Sequence, residues 1–180
     1  MSDDAPLCYL DACAIMFLVD SGDYPDRTRI MVDVFDAAEN GRLRLATSML
    51  SEAEVAFADY EKRHAQLDPQ VEAKIEKLWH PASPIRLVEV HETIIREARS
   101  LLRDAASRGL SMGGSSDMVH LATALREGAD YLMTYDERLR RWNGRLGITV
   151  MQPSVHVAVA KPEDQRGGLF DDDSESANEE

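Results

Sequence analysis

Apolar residues along the chain come in two patterns, short unbroken runs and longer stretches spaced by threes and fours. Residues 7–10 (LCYL) are such a run, ending at Asp11 as a strand buried on both faces would, and residues 12–19 continue apolar like a buried helix. Turn chemistry at 21–25 leads to a helix over 26–39, with Ile30, Met31, Val34, Phe35 and Ala38 on one face and Asn40-Gly41 as its stop. Residues 42–46 read as a weak second strand. A helix is expected from Ser48 to about His64, and Asp68-Pro69 opens another that Pro81 and Pro84 close. Residues 85–90 are β-branched and strand-like. Over 93–106 the set Ile94, Ile95, Ala98, Leu101, Leu102 and Ala105 gives the clearest amphipathic helix in the chain. The Gly/Ser-rich stretch 107–116 must be a loop. After it come a helix from Asp117 to about Glu127, a strand over 131–134, a short helix over 136–142 and a last strand over 148–150.

Strands alternating with helices predict an α/β domain around a mostly parallel sheet, with right-handed crossovers. Ligands of open α/β sheets bind beyond the carboxyl ends of the strands. Asp11 ends the first strand and Asp136 follows the fourth, so both belong on that edge. Asp117 opens a helix, and helices begin at the same edge. Glu54 lies in the first or second turn of the helix after Ser48.

Composition adds constraints. With 44% hydrophobic and 29% charged residues the chain has the make-up of a globular protein. No apolar run approaches the roughly 18–20 residues that cross a bilayer, and the start MSDDAPLCYLDAC does not resemble a signal peptide. A cytoplasmic location without membrane association is expected. Cys8 and Cys13 lack the spacing of a metal knuckle and are expected to be reduced packing residues. The net charge of −13 argues against nucleic acid only until it is mapped: eight acids and one arginine from Glu163 onward carry −7, leaving −6 on residues 1–162. The acidic end has the composition of a disordered tail. Residues 1–150 are therefore expected to form the domain, with 151–180 a C-terminal extension whose tail starts near 163.

Four carboxylates on one edge would repel each other unless some protonate or a cation compensates. Mg²⁺ suits such a site because it takes oxygen ligands, keeps several waters and binds through few carboxylates plus phosphate. Metal-bound water can then attack phosphorus. Each residue also has a plainer role, since Asp11, Asp117 and Asp136 fit helix N-caps and Glu54 fits a solvated helix face. Spacing alone leaves both readings open.

The segments YLDACAIMFLV, ATSMLSEAEVAFA and SSDMVHLATALREGADYLMTYDERL resemble the successive motifs of PIN-domain proteins, most of all the VapC-type ribonuclease toxins of type II toxin–antitoxin systems. Asp11-Ala12 matches the first motif, with Cys13 where Ser is common. Thr47 to Val55 matches a TSxLTxAEV motif and selects Glu54 over Glu52. Asp117 to Leu125 followed by Gly128 to Asp136 is the most specific match. The resemblance covers about residues 7–150. It implies a three-layer α/β/α PIN-like fold with about five strands, Mg²⁺ or Mn²⁺ as cofactor, and endonucleolytic cleavage of RNA. Asp11 and Asp117 would be primary metal ligands, Glu54 would hold the metal or orient water, and Asp136 would be an outer ligand. Thr134 would hydrogen-bond water or an acidic neighbour, and Ser48 would do the same or cap a helix. A cognate antitoxin and a homodimer are the implied protein partners, the helix over 26–39 offering a surface for either. Around Glu61 to Ser83 and in the tail the chain is longer than compact toxins of this type.

Arg138, Arg140, Arg141 and Arg145 around Trp142 could grip RNA phosphates while the indole stacks on a base, or form a solvated helix over a buried Trp. Arg96, Arg99 and Arg103 read as a solvated face, and His120 as a packed neighbour of the site. The tail, with Asp171-Asp172-Asp173, could fold back over a basic groove. Other readings are a non-catalytic PIN module that binds RNA or protein, a receiver domain, and a haloacid-dehalogenase-like phosphatase. The phosphatase needs an acid where Cys13 stands.

Overall fold

The computed structural model describes residues 5–20, 22, 24–109 and 113–158. The expected acidic tail lies outside them, as does the centre of the Gly/Ser-rich loop. Five strands form one sheet: β1 (Leu7–Leu10), β2 (Arg44–Ser48), β3 (Ile85–Val88), β4 (Tyr131–Met133) and β5 (Thr149–Met151). Their order is β3-β2-β1-β4-β5, and every pairing is parallel. The sheet is thus wholly rather than mostly parallel.

Burial of both faces explains the unbroken apolar strands. Successive side chains of β1 point to opposite faces. Leu7 and Tyr9 join a core with α6 (Glu92–Ser107) and α7 (Ser115–Arg126). Cys8 and Leu10 join the other, with α1 (Ala12–Val19), α2 (Pro25–Glu39) and α5 (Pro69–Trp79). The amphipathic pattern of α6 is realised in Ile94, Ala98, Leu101 and Ala105, all buried against α7 and the sheet. The result is a three-layer α/β/α domain.

Three expectations need correction. The single helix expected after Ser48 is two, α3 (Leu50–Glu54) and α4 (Asp59–His64). Val55 and Ala58 turn fully into the core between them, and Glu61 restarts the helix by accepting the Ala58 N–H at 2.9 Å. Glu54 therefore ends a short helix instead of sitting inside a long one. Asp117 does not open α7, which starts two residues earlier with Gly114 as its cap. The short helix α8 spans Glu137–Arg140 and stops before Trp142, which is 2% exposed in the core, as the buried-Trp reading expected, and has no free face for a base.

Strand order reverses between β1 and β4: β2 and β3 lie to one side of β1, and β4 and β5 to the other. The chain must diverge there at the carboxyl edge, opening a crevice between the connections. Asp11 follows β1, and Thr134 and Asp136 follow β4, where Leu10 pairs with Met133.

Candidate metal centre

All four sequence-predicted carboxylates, Asp11, Glu54, Asp117 and Asp136, line one cavity of about 650 Å³ at this crevice. Two stand on strand ends and two on helices, and the chain holds the two pairs differently.

Asp11 is 4% exposed. Its Oδ1 caps α1 by accepting the Ala14 N–H at 2.9 Å, and its Oδ2 accepts the Thr134 hydroxyl at 2.5 Å. Capping and site-building are therefore simultaneous roles of one side chain. Thr134, fully buried, is fixed by its own N–H to Met151 O and accepts the Asp136 N–H at 2.8 Å on its hydroxyl oxygen. Asp136 caps α8 through the Arg138 N–H at 2.6 Å and receives the Arg138 guanidinium at 2.8 Å. Arg138 also comes within 4.0 Å of Asp117.

The helical side has a longer chain of bonds. His120, buried in α7, meets Glu54 Oε2 through Nε2 at 2.7 Å. Its Nδ1 lies 2.8 Å from the Tyr9 hydroxyl, which accepts the Ser48 N–H at 3.0 Å. Nε2 presents its proton to the carboxylate, and Nδ1 shares the second hydrogen bond with the Tyr9 hydroxyl, so both ring nitrogens are partnered. Ser48 is buried at the end of β2, and its hydroxyl faces His120 at 3.4 Å, neither capping a helix nor facing an acid. Asp117 folds back onto the Gly114 N–H at 2.6 Å. A Cβ on Gly113 would stand 2.3 Å from Asp117 Oδ2, so only glycine leaves that carboxylate its place.

These surroundings push the acids apart electrostatically. Burial raises the Asp11 carboxyl from 3.8 to about 6, against the hydrogen bonds of Thr134 and Ala14, and the charge of Asp117 raises it further. Burial also works upward on Glu54, but the hydrogen bond and charge of His120 outweigh it and hold Glu54 below its ordinary value. Arg138 does the same for Asp136. Burial pushes Tyr9 up to about 12, so its hydroxyl stays protonated at neutral pH.

The donor set is all oxygen. Among the described residues no three Asp, Glu, His or Cys side chains converge closely enough to ligate one ion directly. A closed tetrahedral site of the zinc type does not fit this arrangement. A hard ion that keeps several waters and touches one or two carboxylates does.

The remaining expectations are placed as follows. Arg140 pairs with Glu137 at 3.6 Å, Arg145 turns back to Arg141 O at 2.9 Å, and neither they nor Arg141 line the cavity. Arg96, Arg99 and Arg103 are exposed on α6. Cys8 is buried as expected, but Cys13 is exposed and lines the cavity. Tyr9 escaped notice because it is one apolar-looking position in a buried strand. Its only sequence signal is the alternation that turns it away from Cys8 and Leu10.

No helix among the described residues is long and apolar enough to cross a membrane. No curated protein matches the chain significantly. Solved structures are similar in fold. VapBC2 from Rickettsia felis, bound to a DNA fragment from their promoter, aligns with 80% of this chain and 96% of its own at a TM-score of 0.59 and 16% identity. FitAcB from Neisseria gonorrhoeae aligns with 83% and 99% at 0.58 and 16% identity. VapC20 from Mycobacterium tuberculosis, a Sarcin-Ricin loop cleaving toxin, aligns with 74% and 93% at 0.54 and 13% identity. The PIN domain family model matches residues 8–144, which include every strand-end and helix residue of the cavity's carboxylate set. The chain belongs to the PIN domain family.

Proposed function

We propose that this protein is a metal-dependent endoribonuclease using Mg²⁺ or Mn²⁺, and the toxin of a type II toxin–antitoxin pair. The observation that carries the nuclease reading is a buried carboxylate, Asp11, that shares one cavity with three further carboxylates and forms no ion pair among the described residues. A divalent ion bound there would supply a metal-activated water for attack on phosphorus and charge stabilisation for the leaving oxygen.

The chain's own groups define what surrounds that chemistry. Thr134 fixes Asp11 Oδ2 by donating its hydroxyl proton, and the Asp136 N–H fixes Thr134 in turn. His120 holds Glu54 ionised and aimed, so Glu54 can orient a water and accept its proton at Oε1 or Oε2. Tyr9 stays protonated behind His120, its hydroxyl 2.8 Å from Nδ1, and braces the ring from behind. Arg138 balances Asp136 and Asp117 at the rim, where it can also meet substrate phosphate. The toxin reading draws on the VapBC and FitAcB complexes that share the fold. An antitoxin would be its protein partner.

The test is sequencing of the 5′ ends left when the purified protein meets total RNA with Mg²⁺ or Mn²⁺. Discrete metal-dependent ends, absent with Asp11→Asn, are expected. A protein freed of any copurifying inhibitor that cuts no RNA with either metal would be the non-catalytic binding module instead.

A further inference from the structure

Beside the carboxylate cavity, which Phe17 and Tyr24 line, three aromatic rings close around one arginine. Arg27 lies in the first turn of α2, and its guanidinium carbon stands 4.3 Å from the Tyr24 ring centroid, 4.7 Å from Tyr135 and 5.5 Å from Phe17. The rings brace one another, Phe17 edge-on to Tyr135 at 5.0 Å and to Tyr24 at 6.1 Å. Stacking of this kind holds the guanidinium by its faces and leaves the in-plane N–H groups to form a fork.

Those N–H groups have no acceptor among the described residues. Arg86, Arg96, Arg108 and Arg126 each hold a carboxylate. The acid beside Arg27 in sequence, Asp26, turns to Arg29 at 3.2 Å. Arg27 is thus a fixed, half-buried cation without a counter-anion among the described residues, an arrangement that suits an anion from outside. Phe17 and Tyr24 line the same cavity as Asp11 and Asp136, and the exposed Lys62 and Arg63 of α4 line it too. A floor of carboxylates repels a polyanion, so its hold on one must come from cations at the mouth. Tyr24 is 53% exposed and offers ring surface beside that cation.

We propose that Arg27, clamped by Phe17, Tyr24 and Tyr135, binds a phosphate of single-stranded RNA next to the cleavage position, while the exposed Tyr24 ring stacks on the adjoining base. The assignment rests on the ribonuclease reading and adds a substrate-binding subsite to it. Stacking on an aromatic needs an unpaired base, so the subsite favours single strands over duplex.

The test measures affinity of the full chain for a fluorescein-labelled single-stranded RNA dodecamer pool by anisotropy, in Ca²⁺, over a range of salt. Arg27→Gln keeps the planar stack without the charge and is expected to weaken binding about tenfold and to flatten the slope of log affinity against log salt by about 0.7, one phosphate's share. Arg27→Lys keeps the charge and is expected to retain that slope, with weaker binding from the lost fork. Tyr24→Leu is expected to weaken binding at least fivefold with the slope unchanged, as stacking is not ionic. Thermal melts of each variant report folding separately. If the wild type binds the pool and Arg27→Gln binds it as tightly with the same slope, the subsite is refuted and the ribonuclease reading stands. A wild type that binds no single-stranded RNA and cuts none removes both.

Discussion

Two carboxylates of the cavity, Asp11 on the strand wall and Glu54 on the helix wall, are held in opposite electrostatic states. On the strand wall, Asp11 is buried against neutral donors, Ala14 N–H and the Thr134 hydroxyl, and is pushed up to about 6. On the helix wall, Glu54 meets a buried imidazole and is held below its ordinary value. Neutral donors alone do not offset the desolvation of a buried carboxylate, whereas a partner that can carry charge does. Glu54 has a counter-group in His120 and Asp136 one in Arg138, whereas Asp11 forms no ion pair among the described residues. Under the proposed function, Asp11 would suit a metal ligand and Glu54 a water-orienting base.

The sharpest way to break this contrast is Asp11→Asn. Cleavage is expected to fall by roughly 10²–10³-fold, in the range seen when one fixed electrostatic group is removed from a site. Stability should move the other way. The folded Asp11 prefers its proton, so its contribution is full below about pH 4 and is lost as pH rises through about 6. In EDTA at pH 7 the variant should therefore unfold with about 1–3 kcal/mol more stability than the wild type. Mg²⁺ should raise the melting temperature of the wild type and not of the variant. Matching melting curves for the two proteins between pH 4 and 7 would show that Asp11 feels no such burial.

On the helix wall the expected effect is smaller in rate and larger in fold. His120→Ala strips Glu54 and the Tyr9 hydroxyl of their partner and leaves a hole in α7, at a cost of about 2–4 kcal/mol in urea titration. Cleavage should drop about 10–100-fold, as for loss of a group that orients a ligand. An unchanged rate would mean that Glu54 needs no orientation.

Between the walls, Thr134→Val keeps the shape and deletes the hydroxyl. Asp11 loses a hydrogen bond that lowers its pKa, so the acid limb of the pH–rate profile should shift upward, with a loss of about 1 kcal/mol in stability. The mildest change is Arg138→Gln, which removes the cation beside Asp136 and Asp117. Mn²⁺ titrated by electron paramagnetic resonance should bind a few-fold tighter at low salt, since an exposed charge is well screened. Weaker binding would instead make Arg138 the group that orients Asp136.

Much of this was legible from the chain. Unbroken runs such as LCYL predicted doubly buried parallel strands, and the three-and-four spacing of Ile94, Ala98, Leu101 and Ala105 predicted α6 almost to its ends. The strand-end rule placed Asp11 and Asp136 on one edge, and motif resemblance supplied Asp117 and chose Glu54 over Glu52. The break between α3 and α4 was not legible, because it depends on Val55 and Ala58 finding core space that only the assembled sheet provides.

What the sequence determined by itself is therefore the set of local preferences: which runs bury, which residues cap and turn, and which acids follow a strand. What the tertiary structure alone decided is which way Asp11, Glu54 and Asp136 are shifted and what stands opposite them. Asp11 and Thr134 meet across 123 positions, and Glu54 and His120 across 66. Arg27 finds its three rings only when α1, α2 and the end of β4 converge. Desolvation and hydrogen bonding act over a few ångströms in space, so the chemistry of the four carboxylates is a property of the fold more than of the positions that carry them.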